Sequence, residues 1–351
     1  MLKRHWSERP LVQLTLVRVR EFVREPEAVF WTFIFPILMT AGLGIAFRSK
    51  PEAAAKVAVL ASAPAASATA AQLTGNRLLE VRTLDDSAAA RELRTGKVAL
   101  VLVPQSDSLV EYRYDDTRPE GFAARRLVDD ALQRARGRRD PVTVRDSRIR
   151  ERGSRYVDFV VPGLLGMNLL GSGVWGVGFA IVDARRKRLL KRLVATPMPK
   201  SAYLAAFLLS RLGFLVVEAG VLLLFAGLVF GVPLRGSLPA LALIALLSAL
   251  AFGGLGLLVA SRQRTIEGAS GLMNLTMVPM WVFSGIFFSA SRFPAAVQPL
   301  IQALPLTAVN NALRANMLEG ASLAQVAPEL AIISAWLVVT FALALKLFRW
   351  Q

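Results

Sequence analysis

From Phe159 to Val182 the chain carries no charged side chain, and the stretches Gly236 to Ser261 and Gly268 to Ser291 are equally uncharged. About 20 apolar residues at 1.5 Å rise each cross the roughly 30 Å of hydrocarbon in a bilayer. Runs of this length belong in a membrane. Three more follow the pattern: Ala28 to Phe47, with Pro36 placed to kink it; Tyr203 to Phe230, which contains Arg211 and Glu218; and Leu330 to Leu345. The expected fold is an α-helical integral membrane protein with six transmembrane helices, at 28–47, 157–182, 201–230, 236–261, 268–291 and 326–347.

Composition agrees with this reading. The chain is 54% hydrophobic and 19% charged, against about 45–50% and roughly 25% for soluble domains. A net charge of +17 in a soluble chain would suggest nucleic acid, but here the basic residues flank apolar runs, so no nucleic-acid partner is expected. The absence of cysteine and the single histidine, His5, remove disulfides, thiol nucleophiles and clustered metal ligands from consideration. No metal site and no catalytic residue are expected.

Lys and Arg in short loops resist translocation and set orientation. Arg18, Arg20 and Arg24, then Arg185, Arg186, Lys187, Arg188, Lys191, Arg192 and Lys200, then Arg262 and Lys346 fall on one side. The other side's short loops hold only Arg235, Arg292 and Arg314. Both termini, 1–27 and 348–351, are therefore expected in the cytoplasm. Ahead of the first span, Val12, Leu16, Val19 and Val23 share one helical face, which predicts an amphipathic helix lying on the membrane surface.

Residues 48–156 differ in composition and are too polar to enter a bilayer. Val57–Leu60, Leu79–Leu84, Val98–Val103 and Leu109–Tyr114 have the β-branched and aromatic content of strands. Ser87–Arg94 and Pro119–Arg136 have helical character, the second with Pro at its first turn. An α/β domain outside the cytoplasm, inserted between the first and second spans, is expected.

One motif is a decoy. Gly171-Ser-Gly173-Val-Trp-Gly176 matches a dinucleotide fingerprint, but no strand precedes it and it lies inside an uncharged run. Glycines there suit close helix approach better. No phosphate-binding Gly-Lys loop exists either, so this chain is not expected to hydrolyse ATP.

The most informative loop is 183–200, between the second and third spans. Leu189, Leu190, Leu193 and Val194 form an apolar stripe, Arg185, Arg186, Arg188 and Lys191 surround it, and Pro197 ends the helix. Such a segment either rests on anionic headgroups or docks into a groove of a cytoplasmic partner. Arg211 and Glu218 are the ionisable residues deep within a run. Seven residues apart, they share one helical face, where charges usually face a bundle interior or water; the alternatives are that Arg211 snorkels to the cytoplasmic boundary and that Glu218 makes an interhelical hydrogen bond. Asn168 and Asn274, amides inside uncharged runs, join them as pathway or gating candidates. The segment 292–325 is nearly uncharged but broken by Pro294, Pro299 and Pro305, which predicts a re-entrant hairpin on the outer side.

Two motifs carry a family resemblance. Arg185, Leu190, Leu193, Val194, Thr196 and Pro197 fit the Glu-Arg-x-x-Gly-Thr-Leu-x-x-Leu-Leu-x-Thr-Pro loop, and Ser284, Gly285, Phe288, Pro305, Leu306, Thr307, Asn311, Leu313 and Arg314 fit a second stretch after the fifth span. The chain resembles the permease subunits of type-2 ABC exporters over essentially its whole length. The resemblance implies a permease pair, as a homodimer or with a similar chain, in a bacterial cytoplasmic membrane. A separate ABC ATPase would dock at 183–200, bind ATP and Mg, and drive export of an amphiphilic or hydrophobic substrate. A periplasmic adaptor is a further partner for the inserted domain. The departures are Arg186, Arg188 and Lys191 where the family carries acidic residues and glycine, and Asn311 where it carries a carboxylate. The second reading is a membrane component that relays ATPase-driven movement to an extracytoplasmic partner without moving cargo. A membrane-embedded enzyme is disfavoured by the lack of any nucleophile or paired carboxylates.

Overall fold

The computed structural model describes residues 10–47, 54–106, 108–142, 145, 153–187, 200–263 and 265–347. The chain divides into two compact units, one of Met1–Arg48 with Arg150–Gln351 and the other of Ser49–Ile149.

The first unit is helical. Helix α1, Pro10–Val23, is followed by α2, Pro26–Ala46. A π-turn, Phe30–Ile34, precedes Pro36 within α2.

The second unit is α/β, with strand β1 (Ala55–Leu60), helix α3 (Ala66–Leu73), β2 (Leu79–Leu84), α4 (Asp86–Arg94), β3 (Leu100–Pro104), β4 (Val110–Arg113) and α5 (Pro119–Ala135). The sheet order is β2-β1-β3-β4, parallel across β2, β1 and β3, with β4 antiparallel to β3. Val57–Leu60 and all of β3 are buried, because central parallel strands are covered on both faces. The edge strands carry Glu80–Arg82 and Glu111–Arg113 ion pairs, a charged edge that discourages pairing with another chain. Helix α4 begins at Asp85, whose carboxylate accepts from Ala88 N at 2.6 Å. That bond holds the Asp85 carboxyl below the ordinary carboxylate range. Helix α3 had no sequence signal: its Ala, Ser and Thr residues give little periodicity, and its N-cap makes no side-chain hydrogen bond.

The first unit resumes with α6, Tyr156–Arg186, and α7, Lys200–Phe225, which a π-turn extends to Phe230. Then come α8 (Leu238–Ala260), α9 (Ile266–Phe283), α10 (Gln298–Ala303), α11 (Pro305–Arg314) and α12 (Ala327–Leu347). Among the described residues, five helices are long and apolar enough to cross a membrane: α2, α6, the Ser210–Phe230 part of α7, α8 and α12. The run expected as the fifth of six spans, 268–291, is not among them. Its helix, α9, carries Glu267, Asn274 and Pro279, and ends at Phe283 where the chain turns through Gly285 at φ 73°.

Helix α6 is the axis of this unit. Its capping box, in which Asp158 accepts from Arg155 N at 3.1 Å, starts it, and its glycines set its contacts. A Cβ added at Gly256 of α8 would lie 2.8 Å from the carbonyl oxygens of Gly173 and Val174, so α6 and α8 cross backbone to backbone. That approach is the geometry small residues permit between membrane helices.

Candidate functional site

One stripe of α6, Asn168, Ser172 and Gly176, recurs at four-residue spacing and so faces one way. Ser172 Oγ donates to Glu218 of α7 at 2.9 Å from Oε2 and 3.2 Å from Oε1. Arg211 Nη1 lies 3.9 Å from Glu218 Oε1, with the two side chains 15% and 0% exposed. A Cβ at Gly176 would sit 2.9 Å from that same nitrogen. The bare backbone of Gly176 therefore makes room for the guanidinium. Asn168 Nδ2 donates to the Thr32 carbonyl of α2 at 3.2 Å. Pro36 has no N–H to offer that carbonyl four residues back, so Asn168 supplies the donor that the kink removes. Asn274 stands exposed on α9.

A second cluster joins α6 to the turn after α9 and to α11. Arg314 Nε donates to the Phe159 carbonyl at 3.2 Å, Nη2 donates to the Gly285 carbonyl, and the guanidinium carbon lies 3.8 Å from the Phe159 ring centroid. Tyr156 Oη donates to the Phe287 carbonyl at 2.9 Å. Pro305 opens α11, and Leu306, Thr307 and Asn310 are buried beneath it. Asn310 Nδ2 donates to the Ser284 carbonyl at 2.8 Å. The sequence reading singled out Asn311, which is only half-buried. Asn310 is the amide that enters the core, and the signal that could have found it is its helical phase with Leu306 and Leu313.

The third cluster lies at the far end of α6. Arg185 Nη1 donates to the carbonyls of Ala260 at 3.0 Å and Gln263 at 2.8 Å, and Nη2 reaches Ser261 O at 3.4 Å. These are carbonyls at the C-terminus of α8, which a helix leaves without internal donors. Arg185, expected to dock a partner, thus also reaches the end of α8. Arg186 lies beside it in the last turn of α6. Arg188, Leu189, Leu190, Lys191, Leu193, Val194 and Pro197 lie outside the described residues.

Long apolar helices, with a charge pair buried between two of them and a basic segment joining those same two, are those of a multi-pass membrane protein. Residues 27–346 match the family model described as ABC-2 family transporter protein. The chain belongs to this ABC-2 family, whose members are permease subunits of ABC transporters and not the ATPase.

Similar proteins include the linearmycin resistance permease protein LnrN of Bacillus subtilis, 26% identical over 50% of this chain and 45% of that protein. The inner membrane transport permease YadH of Escherichia coli is 26% identical over 44% of this chain and 60% of its own length. ABC transporter G family member 20 of Dictyostelium discoideum is 28% identical over 54% of this chain and 26% of its own length. The chain thus spans less than two thirds of the length of each of these relatives.

Proposed function

We propose that the chain is the membrane-spanning subunit of an ATP-driven exporter, moving an amphiphilic or hydrophobic substrate out of the cytoplasm or the inner leaflet. Six spans, with α9 as the fifth, place both termini in the cytoplasm of a bacterial inner membrane and the Ser49–Ile149 unit outside, where a periplasmic adaptor could reach it. Two such chains pair, and an ABC ATPase that holds ATP and Mg docks at 183–200. The observation that carries this reading is the Arg185 clamp. It ties the end of α6, next to the basic segment, to the end of α8, so that movement of a docked partner is passed to two long helices at once.

Leu193→Asp tests the docking. A charge placed without a partner in an apolar groove costs about 3–5 kcal/mol, so the variant should insert normally yet lose co-purification of the ATPase. Undiminished co-purification would show that the segment only rests on headgroups.

Sidedness is checked separately. Cysteine introduced for Arg188 should stay unlabelled by a membrane-impermeant maleimide in intact cells, whereas cysteine for Arg94 should be labelled. The reverse pattern would invert the topology.

A further inference from the structure

Among the described residues, no oxygen accepts a hydrogen bond from the Arg211 guanidinium. Its Nε is buried without a partner, and Glu218 Oε1, at 3.9 Å, is beyond hydrogen-bonding distance. An arginine kept only to neutralise a carboxylate closes on it in a two-pronged contact at about 2.7–2.9 Å. Here the carboxylate takes the Ser172 hydroxyl with both oxygens instead. A guanidinium has five N–H donors and no acceptor, and here they lie against Glu218 and the bare backbone of Gly176 without an oxygen to take them.

Position adds to this. Arg211 is the second residue of the apolar Ser210–Phe230 part of α7, and Glu218 lies deeper within it. Arg211 and Glu218 are about 10 Å apart along the axis, yet their tips approach to 3.9 Å. The guanidinium therefore points along α7 toward Glu218 and not back toward Lys200, the direction a snorkelling arginine would take. Its side chain retains 15% exposure while that of Glu218 has none. What reaches this pair from outside the bundle meets the cation first, because the Glu218 side chain is wholly covered.

We propose that Arg211 is the recognition site for the oxyanion headgroup, phosphate or carboxylate, of an amphiphilic cargo, with Glu218 as the internal counter-charge that the headgroup displaces. The proposal rests on the reading of the chain as a permease and names the class of its substrate.

The test uses the purified full chain in a neutral maltoside detergent, without ATPase, so that its failure is separable from failure of docking in Leu193→Asp. Binding of dodecyl phosphate is measured by calorimetry against dodecanol and inorganic phosphate. The wild type should bind dodecyl phosphate about tenfold or more tightly than dodecanol, as a charge-assisted contact requires. Glu218→Gln, which removes the competing anion, should tighten dodecyl phosphate binding severalfold, an outcome that a purely structural ion pair does not produce. The Arg211→Gln/Glu218→Gln double variant, neutral at both positions, should lose the preference. If it does not fold, Gly176→Val covers Nη1 without changing charge and should weaken binding in the same direction.

Equal binding of dodecanol, or a double variant that still prefers the phosphate, would overturn the assignment. Inorganic phosphate binding as tightly as dodecyl phosphate would mean an open anion site and no amphiphile site. Phosphatidylglycerol nanodiscs that abolish dodecyl phosphate binding, where phosphatidylcholine nanodiscs do not, would assign the site to bilayer lipid and overturn the cargo.

Discussion

Gly256→Val is expected to disrupt the packing of the membrane unit strongly. A Cβ at this position would lie 2.8 Å from the Gly173 and Val174 carbonyl oxygens and 2.9 Å from the Val174 Cα. All three are backbone atoms of α6, so no side-chain rotation relieves the clash. Overpacking a close-packed core costs typically about 1–3 kcal/mol, and an obstacle made of backbone places this variant at about 3 kcal/mol or beyond. Fluorescence-detected gel filtration after heating should show a clearly lower melting temperature, or no monodisperse peak. Gly220→Ala is the control, since nothing lies within 4 Å of a Cβ there. An unchanged melting temperature in Gly256→Val would mean that α6 and α8 do not cross at this point.

Glu218→Leu should produce the second large effect. The substitution leaves the Arg211 charge inside the bundle with no counter-charge, and removing one member of a buried pair costs about 3–5 kcal/mol. It also removes the acceptor of the Ser172 hydroxyl. Glu218→Gln keeps an acceptor for that hydroxyl but not the charge, and should fall between wild type and Leu. Arg211→Met combined with Glu218→Leu should recover much of the lost stability, because exchanging a buried ion pair for apolar groups of similar volume is often neutral or stabilising. A double variant no more stable than Glu218→Leu alone would show that the Ser172 contact, and not the charge balance, holds these helices together.

The two predictions concern features of unequal legibility. Arg211 and Glu218 could be placed on one helical face from their spacing alone, because seven residues make about two turns. Ser172 and Gly176, which complete the site from α6, lie far away in sequence and could not. The glycines of α6 could be read as points of close approach because the nucleotide-binding alternative requires a strand that the surrounding uncharged run does not allow. Their partners in α8 required the fold. Arg185 shows the same limit: its place beside the docking stripe could be read from the sequence, whereas the hydrogen bonds it gives to the end of α8 could not. Asn310 and Asn311 differ by one residue, which is about 100° around a helix, and that rotation decides which amide meets the Ser284 carbonyl.

What the sequence determined by itself is the membrane character of the chain and the presence of an α/β unit within it. Both depend on quantities that add up along the chain: transfer of successive apolar residues into hydrocarbon in one case, alternation and β-branching over short runs in the other. Only the tertiary structure decided where an uncharged run stops being helix, as at Phe283, which donor serves the carbonyl left by Pro36, and how close Arg211 comes to Glu218 without bonding it. Those outcomes depend on hydrogen bonds and contacts between segments distant in sequence, whose geometry is set when helices pack and carries no periodic trace in either segment alone.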